Sequence, residues 1–247
     1  MTDAASLVYK PLNEYELLGP DIGIVDGPLE YFTTAGVRLP LPFSTRMTVV
    51  RLKNGDLFLH SPIAFEITLA GRLQSMGTIR HLVSPNQFHY ANIGEWSRAF
   101  PDAVTWASPG ARARARARGI GVQFQRGLGA QAPDEWRDAI EQTVVPGGIF
   151  GETVFFHKLS KTVILADTIL NLELDKLRQP WRFAAWLTGM CQLFFGMRLP
   201  LLLQRRKTRA VVEKMLSWRP ECIILSHGRC FEANAGMVLR RIFAWAL

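Results

Sequence analysis

The stretch Arg46 to Leu52 (RMTVVRL) is rich in β-formers and stops at Asn54-Gly55. That pair predicts a tight hairpin turn, because both central positions of a type I′ turn need positive φ. Asp56 to His60 (DLFLH) returns as the partner strand and ends at Ser61-Pro62, so the first third reads as short strands joined by tight turns. The period then changes. Apolar residues at Phe65, Leu69, Leu73 and Met76 predict a helix over Ala64 to Met76, with Gly77 as its stop. Ile79 to Ser84 is a short buried strand, turned by Pro85-Asn86. Ile93 to Phe100 reads as a helix, Val104 to Ala107 as a strand, and Pro109-Gly110 opens a helix that runs through Arg118 to Gly119. Gly127 to Glu141 has no clear period. Gln142 to Val145, Thr153 to His157 and Thr162 to Ala166 are strands, the last two a hairpin around Lys158 to Lys161. Lys176 to Trp218 is largely helical, interrupted at Pro180 and Pro200. Cys222 to Leu225 is a short apolar strand before Ser226-His227-Gly228, and Gly236 to Leu247 forms a closing helix. Hairpins alternating with β and α units imply two sheets with helices outside them, an α/β fold rather than one doubly wound sheet.

Composition narrows the class. The 247 residues suit one domain with a sizeable core, and no linker divides them. Hydrophobic residues at 48% against 20% charged exclude a disordered chain. The cysteines, Cys191, Cys222 and Cys230, are odd in number and none is in CxxC spacing. A disulfide framework and a zinc knuckle are therefore not expected, and a reducing cytoplasm is. Met1 to Pro11 shows no signal-peptide pattern.

The net charge of +8 is local. Between Lys176 and Arg209 stand eight basic residues and no acidic one, so the remainder of the chain is formally neutral.

Three stations along the chain resemble the metallo-β-lactamase superfamily. In that superfamily a strand ends in T-H-x-H-x-D-H; here His81-Leu82-Val83 leads into Ser84-Pro85-Asn86-Gln87-Phe88-His89-Tyr90, where one histidine survives and His89 aligns with the aspartate. The second station resembles T-P-G-H-T-P-G-S, a hairpin and G-D-T; here it reads Val145 to Glu152, then Ala166-Asp167-Thr168. Gly148 stands at a histidine-ligand position and Asp167 at that of the metal-bridging aspartate. The third resembles G-H-G after the last strand and reads Ser226-His227-Gly228. The whole chain is similar to a divergent branch of bacterial and plant proteins with a domain of unknown function, through Arg46 to Leu52, His60-Ser61-Pro62, Pro85 to His89, Glu152 to His157 and His227-Gly228. The resemblance implies a four-layer αβ/βα sandwich spanning residues 1–247, with a helical basic and apolar insertion at 176–210. It carries no activity with it.

Strand geometry sorts the candidate chemistry. Glu152 opens a strand and Asp167 closes its hairpin partner, so both fall at one edge. At ~3.3 Å per residue His157 is carried roughly 16 Å off, to the opposite turn. The metal-ligand candidates are His89, Asp167, His227 and Glu152; His60, Asn86 and Cys230 border the site. Such donors suit one divalent ion, zinc, iron or manganese, and a bound water activated for hydrolysis of a small or apolar substrate. The companion reading has no metal: the histidines bond the backbone, Asp167 caps a turn, and the fold serves as a non-catalytic binding or membrane-peripheral scaffold.

Phe183 to Met197 is fifteen residues without a formal charge, short of the ~20 that span a bilayer. It reads as a helical lid with Trp181, Trp186, Phe194 and Phe195 in a core, as an interfacial element over 181–209 at the inner face of a membrane, or as an apolar pocket or homo-oligomer face. Arg112, Arg114, Arg116 and Arg118, alternating with alanine, spread around a solvated helix, and no nucleic-acid partner is expected.

Overall fold

In a computed structural model, residues 8–34, 37–177, 179, 181–187 and 195–247 are described. Cys191 and Phe194 lie outside them. Two sheets are present. The first has seven strands in chain order: β1 (Tyr15–Gly19), β2 (Ile22–Thr34), β3 (Val37–Arg51), β4 (Asp56–His60), β5 (Thr78–Ser84), β6 (Val104–Ala107) and β7 (Arg126–Gly127). It is antiparallel from β1 to β4 and parallel from β4 to β7. The second has four strands, β8 (Ile140–Val145), β9 (Glu152–His157), β10 (Thr162–Leu165) and β11 (Cys222–Leu225), with only β10 and β11 parallel.

Alternation along the strands explains the layering. In β4, Phe58 points between the sheets while Leu57 and Leu59 point outward. The inter-sheet core joins Ile22, Ile24, Val50, Phe58, Val83 and Trp106 of the first sheet to Phe155, Ile164 and Ile224 of the second. The outer face of the first sheet is covered by α1 (Ile67–Met76), α2 (Ile93–Ala99) and α3 (Ala111–Ala117). The outer face of the second is covered by α6 (Arg205–Ser217), α7 (Ala235–Ile242) and Leu201 of α5 (Phe195–Leu203). Helix, sheet, sheet, helix is the expected four-layer order.

Several local expectations are corrected. The strands of the first third are not all short: β2 and β3 run for 13 and 15 residues. The β3–β4 turn is not type I′, since only Gly55 takes positive φ, at +85°. Asn54 instead uses its side chain, whose Oδ1 accepts from the Asp56 N–H at 3.1 Å. Helix α1 begins at Ile67 because Glu66 caps it, accepting the N–H groups of Thr68 and Leu69. Gly77 ends it with extended backbone, and glycine is required for close approach: a Cβ there would sit 2.3 Å from the Gly55 carbonyl oxygen. Pro200 lies inside α5, and the break falls at Gln204. Trp186 of α4 (Trp181–Leu187) does not fill a lid core, being 61% exposed.

The strand ends converge. His60 pairs with Val83, Leu165 pairs with Leu225, and Val145 pairs with Glu152. A single bridge between Asn86 and Glu152 joins the two sheets at this edge. The loops after β5, β10 and β11 therefore meet, as loops at the carboxyl ends of parallel strands do in α/β folds.

Candidate metal centre

Each loop is shaped by a buried polar side chain. Asn86, fully buried after β5, accepts the N–H groups of Phe88 at 2.8 Å and His89 at 3.1 Å through Oδ1. This turn folds the loop back and delivers His89 to the edge. The Asn86 Nδ2 donates to Asp167 Oδ2 at 2.6 Å, so one side chain locates two candidates.

Glu152 does the same for the loop after β10. Its Oε1 accepts from Ala166 N at 2.8 Å, and its Oε2 from Asp167 N at 2.7 Å and Thr168 N at 2.8 Å. Both oxygens are thus spent on backbone, and Glu152 is not part of the cluster that could hold an ion. The reason is local: three N–H groups turn toward one buried carboxylate, which no nearer group satisfies. Burial and the neighbouring Asp167 charge push its carboxyl up to about 7, against the opposing pull of the three N–H donors.

His227 follows β11. Its Nδ1 lies 2.6 Å from the Ser44 carbonyl oxygen, which can only accept, so the proton sits on Nδ1 and Nε2 faces the other loops. Phe43 packs edge-on against the ring at 4.9 Å between centroids. Gly228 takes φ +84°, and a Cβ there would lie 2.2 Å from the Asn171 carbonyl oxygen. His89 is held by a hydroxyl, its Nδ1 2.5 Å from Ser61 Oγ, with Ser61 itself at φ +54°.

The result is a compact set of donors, one ligand atom from each of the three side chains lying within 4.8 Å of the others. His89 Nε2 to Asp167 Oδ2, His227 Nε2 to Asp167 Oδ1, and His227 Nε2 to His89 Nε2 are each 3.3 Å. The two carboxylate contacts use different oxygens, so Asp167 faces both imidazoles at once. The side chains of His89, Asp167 and His227 keep 9%, 22% and 10% exposure, so the cluster is recessed yet open to solvent. Burial alone would raise the Asp167 carboxyl; the two imidazoles outweigh it and hold it far below the usual carboxylate range. Burial likewise opposes protonation of His227, but the hydrogen bond and charge of Asp167 raise it.

The remaining candidates lie around this set. His60 is fully buried, edge-on to Phe155 at 5.5 Å between centroids, and neither ring nitrogen has a hydrogen-bond partner. Burial, with the His89 charge added, pushes its imidazole down to about 3. Cys230 does not join the cluster; its Sγ takes a hydrogen bond from Arg46 Nη1 at 3.2 Å. Burial raises that thiol. Arg46 also donates to the carbonyls of Leu225 at 2.9 Å and Gly228 at 2.7 Å, and pairs with Asp26 at 2.8 Å. It therefore braces both sides of His227. Ser44, Ser61 and Arg46 were not legible as site residues, because nothing local in the strand pattern marks a carbonyl, a hydroxyl or a buried guanidinium as an anchor. Gly148 sits at the rim, where its carbonyl accepts from Gln87 Nε2 at 3.3 Å and Phe88 stacks on Phe150. His157 lies at the far turn, bonded to Ser160.

The family described as Domain of unknown function (DUF4336) matches residues 34–178. No curated protein is significantly similar in sequence. Among solved structures, the fold is similar to that of the DIM-1 metallo-beta-lactamase, with TM-score 0.62, 14% identity and coverage of 97% of this chain and 98% of the other. It is similar to a metallo beta lactamase from Hirschia baltica, with TM-score 0.61, 12% identity and coverage of 94% and 97%. It is also similar to the metallo-beta-lactamase FIM-1 from Pseudomonas aeruginosa in its mono-zinc form, with TM-score 0.59, 12% identity and coverage of 94% and 92%. At these identities the likeness is one of fold.

Proposed function

The chain belongs to the family described as Domain of unknown function (DUF4336), and from that premise we propose that it is a mononuclear metal-dependent hydrolase of a small-molecule substrate. His89, Asp167 and His227 would hold the ion. The observation that carries this reading is the convergence of one ligand atom from each of the three side chains within 4.8 Å, with the far nitrogen of each imidazole already anchored. Anchoring of that kind fixes ring orientation before an ion arrives, and the Ser44 carbonyl fixes the tautomer of His227 as well. Two imidazole nitrogens and a carboxylate oxygen form a donor set that suits zinc. A single-zinc form is also recorded for the similarly folded FIM-1 protein.

A bound divalent ion supplies Lewis acidity and brings the pKa of a coordinated water to about 7. The chain's own residues do the rest. Asp167 stays ionised and orients both imidazoles. Asn86 and Glu152 hold the loops at fixed separation. Three protein donors leave a tetrahedral ion one open position, the arrangement of catalytic rather than structural sites.

The test is metal content by plasma mass spectrometry, on protein purified without a metal affinity column. About one zinc per chain is expected, lost in His227→Ala and Asp167→Ala. Screening with ester, amide and phosphoester substrates should then give turnover in the wild type alone. Absence of metal after incubation with zinc, iron and manganese, or retention of it in both variants, overturns the proposal.

A further inference from the structure

The surface of α4 and α5 is unlike the rest of the molecule. Six of the fourteen exposed large apolar side chains among the described residues lie on these two short helices: Phe183, Trp186, Leu187, Leu199, Leu202 and Leu203. They are not a misread core. Ala185 and Leu201 are buried, so each helix has an inward face beside its exposed residues. Trp186 at 61% and Leu203 at 79% are more exposed than a fold needs for its own packing.

The charge around them is one-sided. Arg182, Arg198, Arg205, Arg206 and Lys207 are exposed, and among the described residues no carboxylate pairs with any of them; Arg209 is paired with Glu213. Leu202 and Leu203 stand within four positions of Arg205 and Arg206, across the break at Gln204. No helix among the described residues is long and apolar enough to cross a membrane.

We propose that α4, α5 and the start of α6 form a docking surface for an anionic bilayer, the apolar side chains seated at the level of the acyl boundary and the guanidinium groups among the lipid headgroups. Charge selects this occupant. A second copy of the chain would set two acid-free basic segments face to face, which repel. A polyanion without an apolar phase, such as duplex DNA, would satisfy the arginines and leave Trp186 and Leu203 in water. Only an acidic lipid surface meets both needs.

The surface also reaches the candidate centre. Gln204 Nε2 donates to the Pro146 carbonyl at 2.7 Å, and the loop that Pro146 begins carries Gly148 and Phe150 against Gln87 and Phe88. Ile149 of that loop is 54% exposed. One loop thus spans from the docking helices to the residues next to His89. The inference does not rest on metal binding and stands or falls separately from it.

The experiment is vesicle flotation of the full chain with phosphatidylcholine alone and with added phosphatidylglycerol. Flotation with the anionic vesicles only, reversed by salt, is expected. Arg205→Gln, Arg206→Gln and Lys207→Gln together should weaken partitioning about 100-fold, at about five-fold per cation. Brominated lipid should quench tryptophan emission in the wild type, and the Trp186→Phe variant should lose that quenching. Three results would each overturn the proposal: no flotation of the wild type, equal flotation of the triple variant, or a stable dimer by light scattering in which Trp186 is shielded from aqueous quenchers. Tighter binding to duplex DNA than to vesicles would do the same.

Discussion

Replacing His60 with leucine should flatten the acid limb of the stability profile. In the folded chain its imidazole is held down to about 3 from an ordinary 6.5, because both nitrogens are buried without a partner and His89 adds repulsion. The unfolded chain has no such restraint. Below pH 6.5 the unfolded imidazole binds a proton that the folded one refuses, so stability is full above that value and falls as pH drops toward 3. Integrating between about pH 7.5 and pH 5 gives a loss of about 2 kcal/mol from this residue alone. His81, pushed down to about 4 by burial, adds a loss of the same sign, so the informative quantity is the difference between wild type and variant. The assay is urea unfolding of chelator-treated protein at several pH values, followed by far-ultraviolet circular dichroism. The variant should gain on the wild type by about 2 kcal/mol over this interval. At neutral pH it should already be more stable by about 1–3 kcal/mol, since two buried polar atoms are replaced by hydrocarbon. Parallel profiles, or a variant that is less stable throughout, would refute the reasoning and show that the ring nitrogens have an occupation.

Three other substitutions test the supports of the site. Asn86→Ala removes the 2.6 Å bond to Asp167 and the turn that carries His89, and should lower zinc affinity about 10–100-fold in competition with a chromogenic chelator; unchanged affinity would deny it a positioning role. Glu152→Gln sets an amide NH2 against backbone N–H donors and should cost about 1–3 kcal/mol in denaturant unfolding. Because the folded Glu152 carboxyl is raised from 4.5 to about 7, the wild type loses stability as pH rises through that interval and the glutamine variant should not. Gly228→Ala forces a side chain onto left-handed backbone and the Asn171 carbonyl, and should destabilise by more than about 1 kcal/mol; a smaller shift in urea midpoint would contradict the close approach.

Much of the fold is written in local pattern. The strand pair around Asn54-Gly55, the apolar period of α1 and the four-residue runs before Asp167 and His227 each follow from rules that act over a few residues. The turn type does not, because the Asn54 side chain offers the backbone a bond that dipeptide preference ignores. The candidate centre divides the same way. His89, Asp167 and His227 follow strands whose ends can be counted. The work of Glu152 could not be counted, since a carboxylate at a strand start looks the same whether it faces an ion or three N–H groups. Arg46 was legible only as a strand residue; its burial depends on Asp26 and on carbonyls about 180 positions later. Pro200 predicts a break, yet α5 continues through it, packed by Leu201.

The bond from His227 to the Ser44 carbonyl joins residues 183 positions apart. During synthesis, the segment bearing Ser44 must wait for nearly the whole chain to emerge before its partner exists. Contacts of such separation form late and slowly. An ion held as proposed could therefore not be loaded on a half-made chain: it would meet His89 alone, with neither Asp167 nor an oriented second imidazole to retain it. Uptake of the proposed ion would then be a final inspection step, open only to molecules whose third and last strands have found each other.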